Sequence, residues 1–394
     1  VNDMKKRTGL LSILLASLAL GCGVGKLSHA VSAPAAELPR AATKEVSIPA
    51  EGVVLRGTLQ LPGSLSDGGV PAVLLIAGSG PQPRDPEFWG QNGMTFGFAV
   101  RAFRDLTETL LSQGFAVLAY DKRTCGPVNG CADNGYPAPS PEIPIDVLIS
   151  DAQKAVGFLR SQPDVNANQV FVVGHSQGAK VALAVMGQDS SLRAGVLLAA
   201  NFSPIDTVVQ MQLDFIDNQL QTIGTPSDEI GRVLARPRAL VDQFQKARTG
   251  GSDGASIFLR SWMTLDERSP TVVRNLRRPL LFLGGTYDWN IPPSETEAWA
   301  KLVNDVQDSP GHQVHLLSCV THALNCVSQP DPTKIRAQDI GRNVDASVRE
   351  HILNFLAPYT DRGTSNNRSH VPAPAAGPTT GVIAHLANSA FFAR

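Results

Sequence analysis

Hydrophobic and polar positions follow two alternating regimes along the chain. Short runs with almost no polar position occur at residues 72–77, 115–120, 170–173, 195–200 and 279–283. Such runs predict strands buried on both faces, as in a parallel sheet. Between them the apolar positions recur at helical spacing. Phe98, Phe103, Leu106, Leu110 and Leu111 predict a helix over 98–113, ended by Gly114. Ile145, Leu148, Ile149, Ala152, Val156 and Leu159 predict another over 143–160, and residues 177–186 a third. Residues 46–48 and 53–61 predict an antiparallel pair joined at 49–52. A last strand over 313–317 and a last helix over 345–355 complete the series. Strands alternating with helices predict an α/β class with a mostly parallel central sheet flanked by helices.

The rhythm breaks over residues 201–275, where Val208, Val209, Met211, Leu213, Phe215, Ile216 and Leu220 fall at helical spacing. A second helical run covers 230–244, and residues 250–254 form a glycine-containing break. We expect a helical cap inserted between two sheet strands, with residues 44–200 and 276–357 forming the core. From 358 to 394 the chain turns to Pro, Ala, Gly, Ser and Asn, the composition of a disordered tail. The apolar stretch 382–392 is unusual for one.

Composition changes this picture little. The chain has 394 residues and a formal net charge of −1, with no long basic block, so nothing invites nucleic acid. The first residues change it more. Lys5, Lys6 and Arg7 precede an apolar run over 9–20, too short to span a bilayer comfortably. Residues 1–22 read as an export signal and 23–43 as a linker. Leu18-Ala19-Leu20-Gly21-Cys22 resembles a bacterial lipobox, although Ala19 stands where Leu is more usual. Lipidation at Cys22 competes with plain cleavage after Ala30 or Ala33. Either route predicts an exported protein: a periplasmic or outer-membrane-anchored lipoprotein, or a secreted one. The only expected membrane contact is that lipid anchor. Four further cysteines, Cys125, Cys131, Cys319 and Cys326, form two close pairs suited to disulfides in an oxidising compartment. Their spacing permits three connectivities, and zinc ligation is the weaker alternative.

The candidate chemistry centres on Gly174-His175-Ser176-Gln177-Gly178, between an apolar strand and a helical run. This is a G-x-S-x-G motif in its strand–turn–helix setting, which lifts a serine hydroxyl above the sheet edge. Serine needs a base, and the base needs an orienting carboxylate, on loops after later strands. Asp288 follows the strand at 279–283. His322 alone lies on the loop leaving the last strand. His312 and His315 flank or lie in that strand, His351 is in the last helix, and His370 and His385 are in the tail. His315 is the reserve candidate. A glycine-bearing loop, Gly78-Ser79-Gly80-Pro81, follows the strand at 72–77.

With Gly174-His175-Ser176-Gln177-Gly178, the run from Gly285 to Pro292 and Thr321-His322, the chain resembles the α/β-hydrolase superfamily over about 46–356. Gly78-Ser79-Gly80-Pro81, Arg84-Asp85 and Tyr120-Asp121-Lys122-Arg123 resemble a branch of bacterial serine esterases. The resemblance implies an α/β-hydrolase fold, a triad of Ser176, Asp288 and His322, and an oxyanion hole from the backbone N–H groups of Gln177 and Ser79. It implies cleavage of small carboxylic esters, with short acyl chains preferred, and no metal or organic cofactor. Ala77 before Gly78 departs from the lipase pattern, and Thr124 and Cys125 stand where the branch usually has Gly. Two alternatives stay open. One is a peptidase, acyltransferase or thioesterase using the same triad, although no propeller-like repeat appears. The other is a non-catalytic binding protein on the same scaffold. Acyl length, oligomeric state and physiological substrate are not legible.

Overall fold

The structure is a computed structural model and describes residues 42–91, 94–136, 143–306, 310–329, 331 and 334–360. The expected signal segment, Cys22, nearly all of the linker, and the tail from residue 361 lie outside these. In chain order the strands are β1 (Ala42–Ala50), β2 (Val53–Leu61), β3 (Val70–Ile76), β4 (Phe88–Gln91), β5 (Met94–Val100), β6 (Ala116–Tyr120), β7 (Val165–His175), β8 (Gly195–Leu198), β9 (Leu280–Gly285) and β10 (Gln313–Leu317). The helices are α1 (Ala102–Ser112), α2 (Ile145–Arg160), α3 (Gln177–Gln188), α4 (Ile205–Thr222), α5 (Ser227–Arg248), α6 (Gly254–Asn275), α7 (Pro293–Asn304) and α8 (Ala346–Leu356). Eight strands form one sheet in the order β1-β2-β6-β3-β7-β8-β9-β10. β1, β2 and β6 pair antiparallel, and every pairing from β6 to β10 is parallel.

The uninterrupted apolar runs have a direct physical cause. Each central strand buries alternate side chains on opposite faces. In β3, Val73 and Leu75 join one apolar cluster, while Ala72, Leu74 and Ile76 join another. β7 divides in the same way, Phe171 and Val173 against Val170 and Val172. Helices α1 and α8 cover the first cluster; α2 to α7 all contribute to the second. Among the described residues no helix is long and apolar enough to cross a membrane.

The helix predicted over 98–113 is shorter than its spacing suggested. Phe98 lies in β5, and α1 begins at Ala102. β4 and β5 form a separate antiparallel hairpin, with Phe96 and Phe98 stacked at 6.2 Å between ring centres. Phe98 happens to fall in register with the helix that follows it. Periodicity does not separate the two when an aromatic strand runs straight into a helix.

Residues 205–275 are helical, as expected, but not uniform. α4 and α5 share a small cluster of their own around Leu213, Ile230 and Leu234. α4 and α5 also reach the main core through Val208, Val209, Phe244 and Ala247, and α6 joins it there with Leu259, Trp262 and Met263, beside α2 and α3. Under this junction lies a buried ion pair. Lys180 of α3 and Asp266 of α6 are both fully buried, 3.4 Å apart. The ammonium also donates to Asn201 O at 3.0 Å, and Asp266 accepts from the Ile205 N–H at 2.9 Å. Burial pushes the Asp266 carboxyl up to about 6, against the pull of Lys180. A pair this dry adds little net stability, but breaking it on one side is costly. Lys180→Met should therefore destabilise the fold by about 3–5 kcal/mol. Adding Asp266→Asn, which removes the stranded charge, should restore much of that loss in a urea titration. Equal midpoints for the single and double variants would refute this account.

Candidate functional site

The loops that follow β3, β6, β7, β9 and β10 emerge at one end of the sheet, because these strands are parallel. Ser176 stands at the turn from β7 into α3 with φ 56° and ψ −123°. That conformation is strained for a residue with a side chain. Packing enforces it. A Cβ on Gly174 would lie 2.1 Å from Gly178 O, and one on Gly178 would lie 2.1 Å from Ile76 O. α3 thus sits directly on the backbone of β7 and β3, and the turn between has one shape. The Ser176 N–H donates to Leu198 O at 2.8 Å, which ties the turn to β8. Ser176 itself stays partly exposed.

Asp288 and His322 meet directly. His322 Nδ1 lies 2.9 Å from Asp288 Oδ2, with both residues buried. Asp288 Oδ1 accepts from the Asn290 and Ile291 N–H groups, each at 2.8 Å. The carboxylate is therefore oriented by its own turn before it reaches the imidazole. That contact fixes the tautomer, with the proton on Nδ1 and Nε2 left as the basic nitrogen. Among the described residues no hydrogen bond joins Ser176 Oγ to His322 Nε2; such bonds often tighten only around substrate. The elbow and the base meet through the neighbouring residue. The His175 ring lies tilted, 4.7 Å from the His322 ring, and its Nε2 donates to His322 O at 2.8 Å. Burial holds the His175 pKa down at about 3, so this ring is neutral and its N–H is committed to that bond.

The other backbone group of His322 is held from a different direction. The His322 N–H donates to Gln91 Oε1 at 3.1 Å, and Gln91 Nε2 donates to Tyr287 O at 2.8 Å. One side chain of the β4–β5 hairpin thus bridges the loops carrying Asp288 and His322. Sequence reading missed Gln91, which sits in a segment given no element, and it missed the role of His175 as well. The reserve candidate His315 faces elsewhere, 4.5 Å from the ring of His351.

Gln177 and Ser79 lie on the two loops expected to supply oxyanion donors. Among the described residues neither backbone N–H has a protein acceptor, as the first N–H of a helix leaves one free at Gln177. Gly78 lies against the nucleophile loop; a Cβ there would come 3.2 Å from Ser176 Cβ. The cysteines pair locally, Cys125 with Cys131 and Cys319 with Cys326. Of the three connectivities open to sequence, the local one is present, and these four thiols are not zinc ligands. The second bridge closes the loop around His322, whose Val320 and Cys326 also form an antiparallel bridge. Across the insertion, Phe215 of α4 packs 5.2 Å from Trp289, next to Asp288.

A family model described as the alpha/beta hydrolase family matches residues 73–335. Esterase EstD of Thermotoga maritima is 28% identical over 255 residues, covering 61% of this chain and 53% of that protein. The alpha/beta hydrolase domain-containing protein WAV2 of Arabidopsis thaliana is 22% identical over 162 residues, covering 41% and 42%. The chain thus spans about half the length of the curated relatives it matches. An acylaminoacyl peptidase of Pyrococcus horikoshii aligns with a TM-score of 0.50 and 13% identity, over 83% of this chain and 43% of that one. At that identity the likeness speaks for the fold alone.

The loop bridge yields a prediction. Opening a ring this short removes about 2–3 kcal/mol in the chain-entropy model. A small displacement of a reacting group can cost on the order of 10²-fold in rate. Cys319→Ser with Cys326→Ser should lower the rate of any reaction the site carries at least about tenfold while melting shifts by only a few degrees. Turnover and melting that decline in proportion would show the bridge to be purely structural.

Proposed function

Because the chain belongs to the alpha/beta hydrolase family, we propose that it is a serine hydrolase of carboxylic esters. The observation that carries the reading is the buried Asp288–His322 pair at 2.9 Å, set against the strained turn at Ser176. The similarity to an esterase, EstD, supports the choice of ester over other acyl substrates.

In the proposed mechanism Ser176 Oγ attacks the acyl carbon as His322 Nε2 takes its proton. Asp288 holds the ring and stabilises the imidazolium. The N–H groups of Gln177 and Ser79 receive the negative oxygen of the tetrahedral intermediate. Collapse breaks the C–O bond, and the alcohol leaves with the proton returned by His322. Water then attacks the acyl-enzyme with His322 again as base, and the acid departs. No step calls for a metal or organic cofactor.

Three finer elements belong to the same proposal. α4 and α5 form a cap that borders the acyl pocket; the packing of Phe215 on Trp289 supports this. Short acyl chains are preferred, on the strength of the Gly78-Ser79-Gly80-Pro81 loop. The protein works after export, and its two disulfides are consistent with an oxidising compartment.

Ser176→Ala should abolish labelling by a fluorophosphonate probe and reduce ester turnover by about 10⁴-fold or more. Labelling that persists at the wild-type rate would remove Ser176 from the mechanism. Asp288→Asn should leave melting nearly unchanged and lower kcat by about 10³–10⁴-fold through loss of the tautomer. A mild effect would place the acid elsewhere. In a series of nitrophenyl esters, turnover should peak among the short acyl chains. Faster turnover of palmitate than of butyrate would contradict the chain-length preference.

A further inference from the structure

Lys122 is a buried cation with no carboxylate partner among the described residues. It follows β6, and the residue is 6% exposed. Its ammonium donates to two acceptors. One is Gly78 O at 2.7 Å and the other is Gln177 Oε1 at 2.8 Å. Its own N–H donates to Gln82 O at 3.0 Å, and Gln82 Nε2 donates to Ser79 O at 3.0 Å. The next residue back, Asp121, accepts from the Arg84 N–H at 2.8 Å and pairs with its guanidinium at 2.7 Å. The whole oxyanion loop is thus pinned to the end of β6.

The atoms chosen are informative. Gly78 O belongs to the same peptide group as the Ser79 N–H. Amide resonance links the two ends of that group. A cation donating to the carbonyl oxygen withdraws electron density from the nitrogen and makes its N–H a stronger donor. Gln177 Oε1 belongs to the residue that supplies the other N–H. One ammonium therefore touches both loops that carry the proposed donors, through the peptide of Ser79 on one side and the side chain of Gln177 on the other.

We infer that Lys122 is a positioning residue for ester hydrolysis, which polarises the Ser79 half of the oxyanion hole and holds it in line with the Gln177 half. The inference rests on the hydrolase reading given above. It assigns Lys122 no contact with substrate. Its effect is felt where negative charge develops, so it favours the transition state over the bound ester.

Burial pulls the Lys122 ammonium down to about 7. The groups around it are otherwise occupied. Asp121 is paired with Arg84, and Arg123 is paired with Asp151 of α2. Burial pushes the Tyr120 phenol far above its ordinary value. His175 of β7 is neutral. Rising pH through neutrality therefore removes the charge on Lys122. The neutral amine still donates hydrogen bonds, so the loss of rate is partial.

The test compares the wild type with Lys122→Met and Gln177→Met. The second variant keeps the backbone N–H and removes only the acceptor that faces Lys122, and it buries no new charge. We expect Lys122→Met to lower kcat by about 10–100-fold with KM changed less than about twofold. The inhibition constant of a trifluoromethyl ketone, which forms a tetrahedral oxyanion on the serine, should rise by the same factor. Gln177→Met should show a smaller loss, again shared between kcat and ketone affinity. The wild-type rate should sag as pH rises through about 7, and Lys122→Met should lack that step. A merely structural lysine would lower melting without moving ketone affinity or the pH profile. Folded Lys122→Met with wild-type kcat and ketone affinity would overturn the inference. If Lys122→Met does not fold, wild-type kinetics in Gln177→Met would overturn it equally. A wild-type protein that neither takes fluorophosphonate nor hydrolyses esters would instead remove the hydrolase reading beneath it.

Discussion

The contact on which the site depends is one of backbone against backbone. α3 packs so closely on β3 and β7 that no Cβ fits at Gly174 or Gly178. Everything distinctive about Ser176 follows from that closeness. Its left-handed backbone is the only way to leave a strand and enter a helix in so small a space. The same geometry brings Gly78 against the serine, and among the described residues the first N–H of α3, at Gln177, has no protein acceptor. Strain at Ser176 persists because the apolar clusters on both faces of the sheet hold the helix and strand in place.

The imidazole is constrained in a complementary way. Its side chain is fixed by Asp288, and its peptide is fixed by two neutral side chains, His175 and Gln91. These three come from β7, the hairpin and the loop after β9, elements that are far apart in the chain. The local disulfide closes the loop itself. In the proposed role of base, His322 would shuttle a proton without moving its ring, and Asp288, His175 and Gln91 hold it in place for that.

The parts of this arrangement legible in the sequence are those written in local pattern. Apolar runs mark the central strands because both faces are buried. The G-x-S-x-G turn is legible because close packing demands glycine at fixed spacing. Asp288 and His322 are found by their places after β9 and β10, not by any local signature. The hairpin β4–β5 was not legible, because Phe98 lies in step with the helix after it. Gln91 was not legible either, since its partners Tyr287 and His322 lie 196 and 231 positions away. Lys122 was visible as part of Asp121-Lys122-Arg123, but only burial reveals which oxygens its ammonium meets. The connectivity of the cysteines needed coordinates as well.

The order of strands has a further consequence. His322 hangs from β10, the last strand of the sheet, which pairs with β9 on one flank only. Ser176 hangs from β7, which is flanked on both sides. Edge strands open locally at lower free energy than central ones. The proposed nucleophile and the proposed base therefore sit on ground of unequal firmness. As temperature rises, fraying of the outer strand would displace His322 while Ser176 and the core are still intact. On the proposed reading, loss of activity on heating would start as a local, reversible event at the margin of the sheet, ahead of global unfolding.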